Sequence, residues 1–156
     1  GVVDESQRVF ERMEKRNFVS WCALMGGYCQ KSEFDTVIEL FRMMGEVDLY
    51  SFGTVLRACA GLAALESGKE VHCQYLRRGG WSDVIVESAL VDVYAKCGFD
   101  DYAYVIFRQM KVRNSVTWNS MISGFAQNGK GGEAIEVFKE MIREGFKPDY
   151  ISFIAV

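Results

Sequence analysis

The sequence predicts an all-α fold, an α-solenoid of stacked antiparallel helical hairpins, from three observations. The chain repeats itself at a long period. Each repeat carries two apolar stripes of helical spacing. Pro148 is the single proline, so long helices run uninterrupted and the 15 glycines are left to punctuate turns.

Sliding the chain by 97 residues places Gly1, Asp4, Phe10, Met13, Arg16 and Asn17 on Gly98, Asp101, Phe107, Met110, Arg113 and Asn114. The same offset places Val19, Trp21, Gly27, Gln30, Ile38, Glu39, Phe41 and Met44 on Val116, Trp118, Gly124, Gln127, Ile135, Glu136, Phe138 and Met141. Beyond them the offset becomes 101, and Ser51, Phe52 and Val55 meet Ser152, Phe153 and Val156. The later copy has gained residues around Ile142 to Lys147. Smaller units lie inside this period, at 18–48, 49–83, 84–114 and 115–149. Residues 1–17 form the second half of an earlier unit, and 150–156 open another.

Each unit reads as two helices. Val19 to Gln30 pairs with Phe34 to Met44, Tyr50 to Ala60 with Leu65 to Arg78, and Ile85 to Lys96 with Asp100 to Met110. In the last complete unit the first helix covers Val116 to Asn128, with Trp118, Ile122 and Phe125 on one stripe. Gly129 to Gly132 make the turn, and the second helix covers Glu133 to Glu144. Its stripe is Ala134, Ile135, Phe138, Met141 and Ile142. Gly145 stops the helix and Pro148 prevents its continuation. A lone hairpin cannot bury both stripes, whereas stacked neighbours can. By the same spacing Trp21, Trp118, Tyr28, Phe125, Phe41, Phe107 and Phe138 belong to the core rather than to an exposed stacking platform.

Composition narrows the function. Apolar residues make up 49% of the chain, yet no run of about 18 of them exists, so no membrane-spanning helix is expected. The net charge of -3 argues against attachment to nucleic acid by phosphate neutralisation alone. It leaves room for a binder that uses base edges and stacking. The basic residues Lys69, Arg77, Arg78, Lys111, Arg113, Lys130, Lys139, Arg143 and Lys147 read as scattered surface charge. The 5 cysteines, Cys22, Cys29, Cys59, Cys73 and Cys97, are odd in number and form no Cys-x-x-Cys, so neither a disulfide framework nor a zinc site is expected. Core packing in a reducing compartment is the better reading. His72 is the only histidine and sits among Val71, Cys73 and Tyr75 on a helix, a packed position rather than a catalytic one. No phosphate-cradling loop, catalytic residue, metal site, cofactor site or small-molecule site is expected. The start, Gly1-Val2-Val3-Asp4-Glu5, reads as the middle of a longer array rather than a signal or transit peptide.

The units also carry recognisable words. Phe18-Val19-Ser20-Trp21, Ser115-Val116-Thr117-Trp118-Asn119, Met25-Gly26-Gly27-Tyr28 and Ile122-Ser123-Gly124-Phe125-Ala126-Gln127-Asn128-Gly129 resemble the pentatricopeptide repeat. Leu56-Arg57-Ala58-Cys59-Ala60-Gly61-Leu62, followed by Ala64 to His72, is similar to the long variant of that repeat. Leu90-Val91-Asp92-Val93-Tyr94-Ala95-Lys96-Cys97-Gly98 is similar to the short variant. The order short (partial), standard, long, short, standard, long (partial) resembles the plant subclass built from such triplets. The unit at 18–48 departs from the pattern in being shorter than a standard repeat. Tetratricopeptide repeats, which bind peptides, share the helix plan, but their Trp-Leu-Gly-Tyr spacing is absent.

The resemblance implies a right-handed superhelix that binds single-stranded RNA at about one base per unit. It implies an organellar RNA-processing or RNA-editing factor, in mitochondrion or chloroplast. It also implies that long units contact organellar editing-factor proteins, which makes a protein-interaction scaffold the alternative. In the family one base reader follows the Trp or its equivalent, and the other ends the unit. Carried over, these are Asn119 with Asp149 (uridine) and Ser88 with Asn114 (adenosine). Cys22 with Asp48 is an unusual pair, and Asn17 would finish the incomplete first unit. Val116, Ile85 and Val19 would pack on base faces. The long unit offers Gly53 and Asp83, and Gly53 has no side chain to read with. On their own, Asn119 and Ser88 could be ordinary polar residues near helix starts, and Asp48, Asp83 and Asp149 could be helix caps. The deaminase chemistry found downstream in some relatives needs His-x-Glu and Cys-x-x-Cys, and neither is present here.

Overall fold

The computed structural model describes residues 2–14, 16–45, 47–79 and 82–155. Gly1 and Val156, which open and close the repeat alignment, lie outside them. Among the described residues the chain is all helix: α1 (Val2–Arg12), α2 (Phe18–Gln30), α3 (Phe34–Met43), α4 (Leu49–Leu62), α5 (Leu65–Arg77), α6 (Val84–Lys96), α7 (Asp100–Gln109), α8 (Ser115–Gln127), α9 (Gly131–Arg143) and α10 (Tyr150–Ala155). None of these helices is long and apolar enough to cross a membrane.

The local chemistry alternates between the two helices of a hairpin. The first helices are capped by side chains: Asn17, Asp48, Asp83 and Asn114 each accept a backbone N–H of the first turn. Asp149 does the same for Ser152 at 3.0 Å. The second helices α3, α5, α7 and α9 have no such cap. They start from a tight turn in which one residue, Ser32, Ala63, Gly98 or Gly129, takes a positive φ. One backbone bond recurs in all four turns: Glu33 N–H to Tyr28 O, Ala64 to Cys59, Phe99 to Tyr94 and Lys130 to Phe125, at 2.8–3.0 Å. This bond closes the end of the first helix and reverses the chain.

The hairpins stack as an α-solenoid. First helices form one layer, with α2 on α4, α4 on α6, α6 on α8 and α8 on α10. Each second helix packs against its own first helix, and α3, α5 and α7 also reach the first helix of the next unit. The α6–α8 approach is close enough that a Cβ added at Gly124 would lie 2.4 Å from the Cβ of Ala95.

The 97-residue period is visible in the packing. Phe10 meets Trp21 edge-on with centroids 4.6 Å apart, and Phe107 meets Trp118 in the same way at 4.8 Å. The guanidinium of Arg16 lies 4.9 Å from the Phe10 centroid, and that of Arg113 lies 4.7 Å from Phe107. Trp118 and Phe107 are fully buried at a junction between units, and Tyr28, Phe41 and Phe125 are buried too. Trp21 and Phe138 are only half-buried, packed at the edge of the core.

Three expectations need correction. Ile135 and Ile142 are exposed; the buried stripe of α9 is Ala134, Val137 and Met141. Each isoleucine follows a buried residue, and one step along a helix turns the side chain by about 100°. Gly131 and Gly132 belong to α9 rather than to the turn, because Lys130 already accepts the Ala134 N–H at 3.0 Å. Cys73 faces the surface and Cys97 is half-buried, while Cys22, Cys29 and Cys59 are in the core; all five are free thiols.

Candidate nucleic-acid interface

The N-terminal turns of α2, α6 and α8 expose one apolar residue each. Val19, Ile85 and Val116 are 67%, 61% and 62% exposed. Each is the second residue of its helix, one turn before the residue proposed as reader. Tyr50 and Ile151 hold the same place in the neighbouring units and are exposed as well, which the sequence reading had not singled out. Aliphatic groups held at a helix start, with the core at the opposite face, leave apolar area for a flat partner.

Behind this row lie the polar pairs. Asn119 is 7% exposed and donates its Nδ2 to both oxygens of Asp149, at 3.1 and 2.9 Å. Its Oδ1 accepts the hydroxyl of Ser152 at 2.6 Å. Asp149 is itself exposed. The backbone N–H of Ser152, assisted by the Asn119 amide, holds its carboxyl below the ordinary aspartate value. It is therefore an ionised acceptor at neutral pH.

Ser88 and Asn114 do not touch directly. The Thr117 hydroxyl stands between them, 2.6 Å from Ser88 Oγ and 3.0 Å from Asn114 Oδ1. Ser88 also donates to the Val84 carbonyl at 2.5 Å. The cap uses Asn114 Oδ1, which accepts the Thr117 N–H at 2.9 Å. Its Nδ2 keeps both protons for an outside acceptor.

The remaining candidates are less complete. Asp48 caps α4 in a box with Ser51, accepting its N–H at 2.8 Å and giving its own N–H to the hydroxyl at 2.9 Å. Cys22 is buried, and burial, then the charge of Asp48, pushes its thiol up to about 11, so it is neutral at ordinary pH. Asn17 caps α2 through Ser20 at 2.9 Å. In the long unit Asp83 accepts the N–H groups of Ile85 and Val86. Gly53 is covered by Ile85, whose Cγ2 would lie 3.2 Å from an added Cβ.

Capping and pairing thus coexist at the unit ends. The third residue of three units, Ser51, Thr117 and Ser152, is fully buried and belongs to the site as well, although helical spacing does not single it out. Their signal was present, since Ser20, Ser51, Thr117 and Ser152 recur at one position of the repeat.

Elsewhere the chemistry is structural. His72 is buried with Nδ1 3.0 Å from the Tyr94 hydroxyl. Several basic side chains are already engaged: Lys69 with Glu66, Lys130 with Asp100 and Asp101, Lys139 with Glu136, and Arg78 with the Val47 carbonyl. No group of His, Cys, Asp and Glu among the described residues could hold a metal ion.

Hairpins joined by identical turn bonds, with first helices in one layer and paired polar residues across unit junctions, define a helical-hairpin repeat protein. The family model described as PPR repeat matches residues 19–49, 88–115 and 116–146. The chain belongs to the pentatricopeptide repeat family. A pentatricopeptide repeat-containing protein of Arabidopsis thaliana is 57% identical over 156 residues, covering 100% of this chain and 26% of the relative. Another from the same plant, whose name includes the word mitochondrial, is 39% identical over 160 residues, covering 100% of this chain and 25% of the relative. The chain thus spans about a quarter of the length of the curated relatives it matches. Two solved structures share the fold. The nuclear proteinaceous RNase P 2 of A. thaliana superposes with a TM-score of 0.67 at 13% identity, over 88% of this chain and 33% of that one. The pentatricopeptide repeat protein PPR10, in complex with an 18-nt psaJ RNA element, superposes with a TM-score of 0.50 at 17% identity, over 97% of this chain and 33% of that one.

Proposed function

We propose that this chain is a sequence-specific single-stranded RNA-binding segment of an RNA-processing or RNA-editing factor of mitochondria or chloroplasts, taking about one base per unit. The observation that carries the reading is the meeting of Asn119 with Asp149, one helical turn from exposed Val116. The pair sets an amide beside an ionised acceptor at a unit junction, with the exposed Val116 one turn away, and this supports the reading of a base edge there with an apolar contact on its face. Family membership and the likeness to an RNA-bound relative support it. By family association Asn119 with Asp149 takes uridine, and Ser88 with Asn114 takes adenosine.

The segment recognises rather than catalyses. Its one histidine is committed to Tyr94. The alternation of unit lengths supports the triplet subclass. The unit at 49–83 has Gly53 at the reader position and meets the apolar Val86 of the following unit where other junctions carry a hydroxyl, which favours a protein contact with an organellar editing factor at that place.

Fluorescence anisotropy against single-stranded RNA pools, with duplex competitors, tests the reading. Binding that survives duplex and discriminates among single strands is expected. A chain that prefers duplex, or that captures only proteins in an RNase-resistant pull-down, would leave the scaffold reading in its place.

A further inference from the structure

We infer that the buried hydroxyl at the third position of a unit, Ser152 behind Asn119 and Thr117 behind Ser88, is a positioning residue that fixes which hydrogen-bonding group the preceding unit presents to its base. The inference rests on the RNA reading above and goes a step past its two-residue pairs.

A side-chain amide has two ends of opposite hydrogen-bonding character, and rotating it by half a turn exchanges them. Ser152 removes that freedom from Asn119. The backbone N–H of Asp149 donates to Ser152 Oγ at 3.1 Å, so the hydroxyl proton is left to be given away. Asn119 Oδ1 lies 2.6 Å off, nearer than Asp149 Oδ1 at 3.1 Å, and receives it. The other end of the amide then faces the carboxylate of Asp149. The reverse orientation would set a carbonyl oxygen against that carboxylate. One amide N–H shared between the two carboxylate oxygens leaves the second N–H for a base, beside a carboxylate acceptor. A uracil edge, with a carbonyl next to N3–H, is its complement.

The neighbouring junction works in the same way with different groups. The Asn114 N–H donates to Thr117 Oγ1 at 3.3 Å, and Ser88 spends its proton on the Val84 carbonyl, so the Thr117 proton goes to Ser88 Oγ at 2.6 Å. An acceptor at Ser88 and a donor at Asn114 Nδ2 remain. The amino group and N1 of adenine complement these. In the long unit the third position of the following unit is Val86, which is buried and apolar, so Gly53 and Asp83 lack the bridge. A unit reads its base where a hydroxyl joins its two ends.

The test uses the full protein and a randomised single-stranded RNA pool, sequencing the bound fraction. The parent should enrich uridine at the position served by Asn119 and adenosine on its 5′ side. Ser152→Ala should lower the uridine enrichment about two- to tenfold, the worth of one neutral hydrogen bond, and leave the adenosine unchanged. Ser152→Thr, which keeps the hydroxyl, should restore it. Thr117→Val should blunt the adenosine preference alone. If Ser152→Ala keeps the parental preference while Asn119→Ser alters it, the positioning role is overturned and the reading pair stands. If neither substitution alters the preference, the reading pair falls and the positioning role with it. An even loss at all positions, not rescued by Ser152→Thr, also overturns the proposal, because it marks a purely structural contact.

Discussion

Asn119 gives its side-chain amide to both carboxylate oxygens of Asp149, at 3.1 and 2.9 Å, across a separation of 30 residues. The contact depends on the repeat. Asn119 lies on α8, Asp149 lies just before α10, and α10 packs on α8. The donor is thus ordered by one unit and the acceptor by the start of the next. A solenoid brings the equivalent positions together at each junction, and the residue types there decide what is presented.

The packing of Trp118 yields the largest stability prediction. Its ring is fully buried between Phe107 and Phe146. Trp118→Ala should cost about 3–5 kcal/mol in urea denaturation. Trp21→Ala, at a half-buried ring, should cost clearly less. Equal losses at the two sites would show that the repeat offset, not burial, sets the energy.

Glycine substitutions should split by position. Gly124→Ala forces a Cβ against Ala95 across the α6–α8 contact and should destabilise by about 1–3 kcal/mol. Gly132→Ala, in the first turn of α9 with open space around it, should stabilise by about 0.5–1 kcal/mol. Thermal melts of the two variants moving in the same direction would contradict the packing described for α6 and α8.

Burial lowers the His72 pKa from its ordinary value of 6.5. A group whose folded pKa is depressed supports the fold above its unfolded pKa and withdraws that support as the pH falls. The unfolded chain takes up a proton near pH 6.5 while the native chain resists it. Stability should therefore decline from about pH 7 toward the lowered pKa. His72→Gln, which keeps a partner for Tyr94, should flatten that slope. Identical slopes for parent and variant, by chemical denaturation at several pH values, would place the titration elsewhere.

Much of this was legible in the sequence. The helix pairs followed from the spacing of residues such as Trp118, Ile122 and Phe125, because a helical stripe must be buried and only a neighbouring unit can cover it. The exact face of α9 was not legible. Ala134 and Ile135 are both apolar, and only the packing shows that the smaller one faces inward. The pairing of Asn119 with Asp149 came from family resemblance rather than periodicity. The part of Ser152 and Thr117 was missed because a hydroxyl at a helix start is explained well enough by capping. Its second bond crosses to another unit, and spacing along one helix does not reveal it.

The exposed apolar row should matter to RNA and little to folding. Val116→Ser should change stability by no more than about 0.5 kcal/mol, as expected for an exposed site. It should weaken binding of single-stranded RNA while leaving the order of base preference intact. Unchanged affinity, measured by anisotropy on one RNA, would remove Val116 from the interface.

The most direct measurement is the base preference of the Asn119→Ser protein. Because the net charge is -3, phosphate attraction contributes little, and the comparison should be made at low salt between RNAs differing at one base. By family association Ser with Asp takes guanosine. Uridine should give way to guanosine at this position, by about 1–3 kcal/mol of discrimination, with the adjacent adenosine preference unaltered. An Asn119→Ser protein that binds RNA and still prefers uridine there would contradict it.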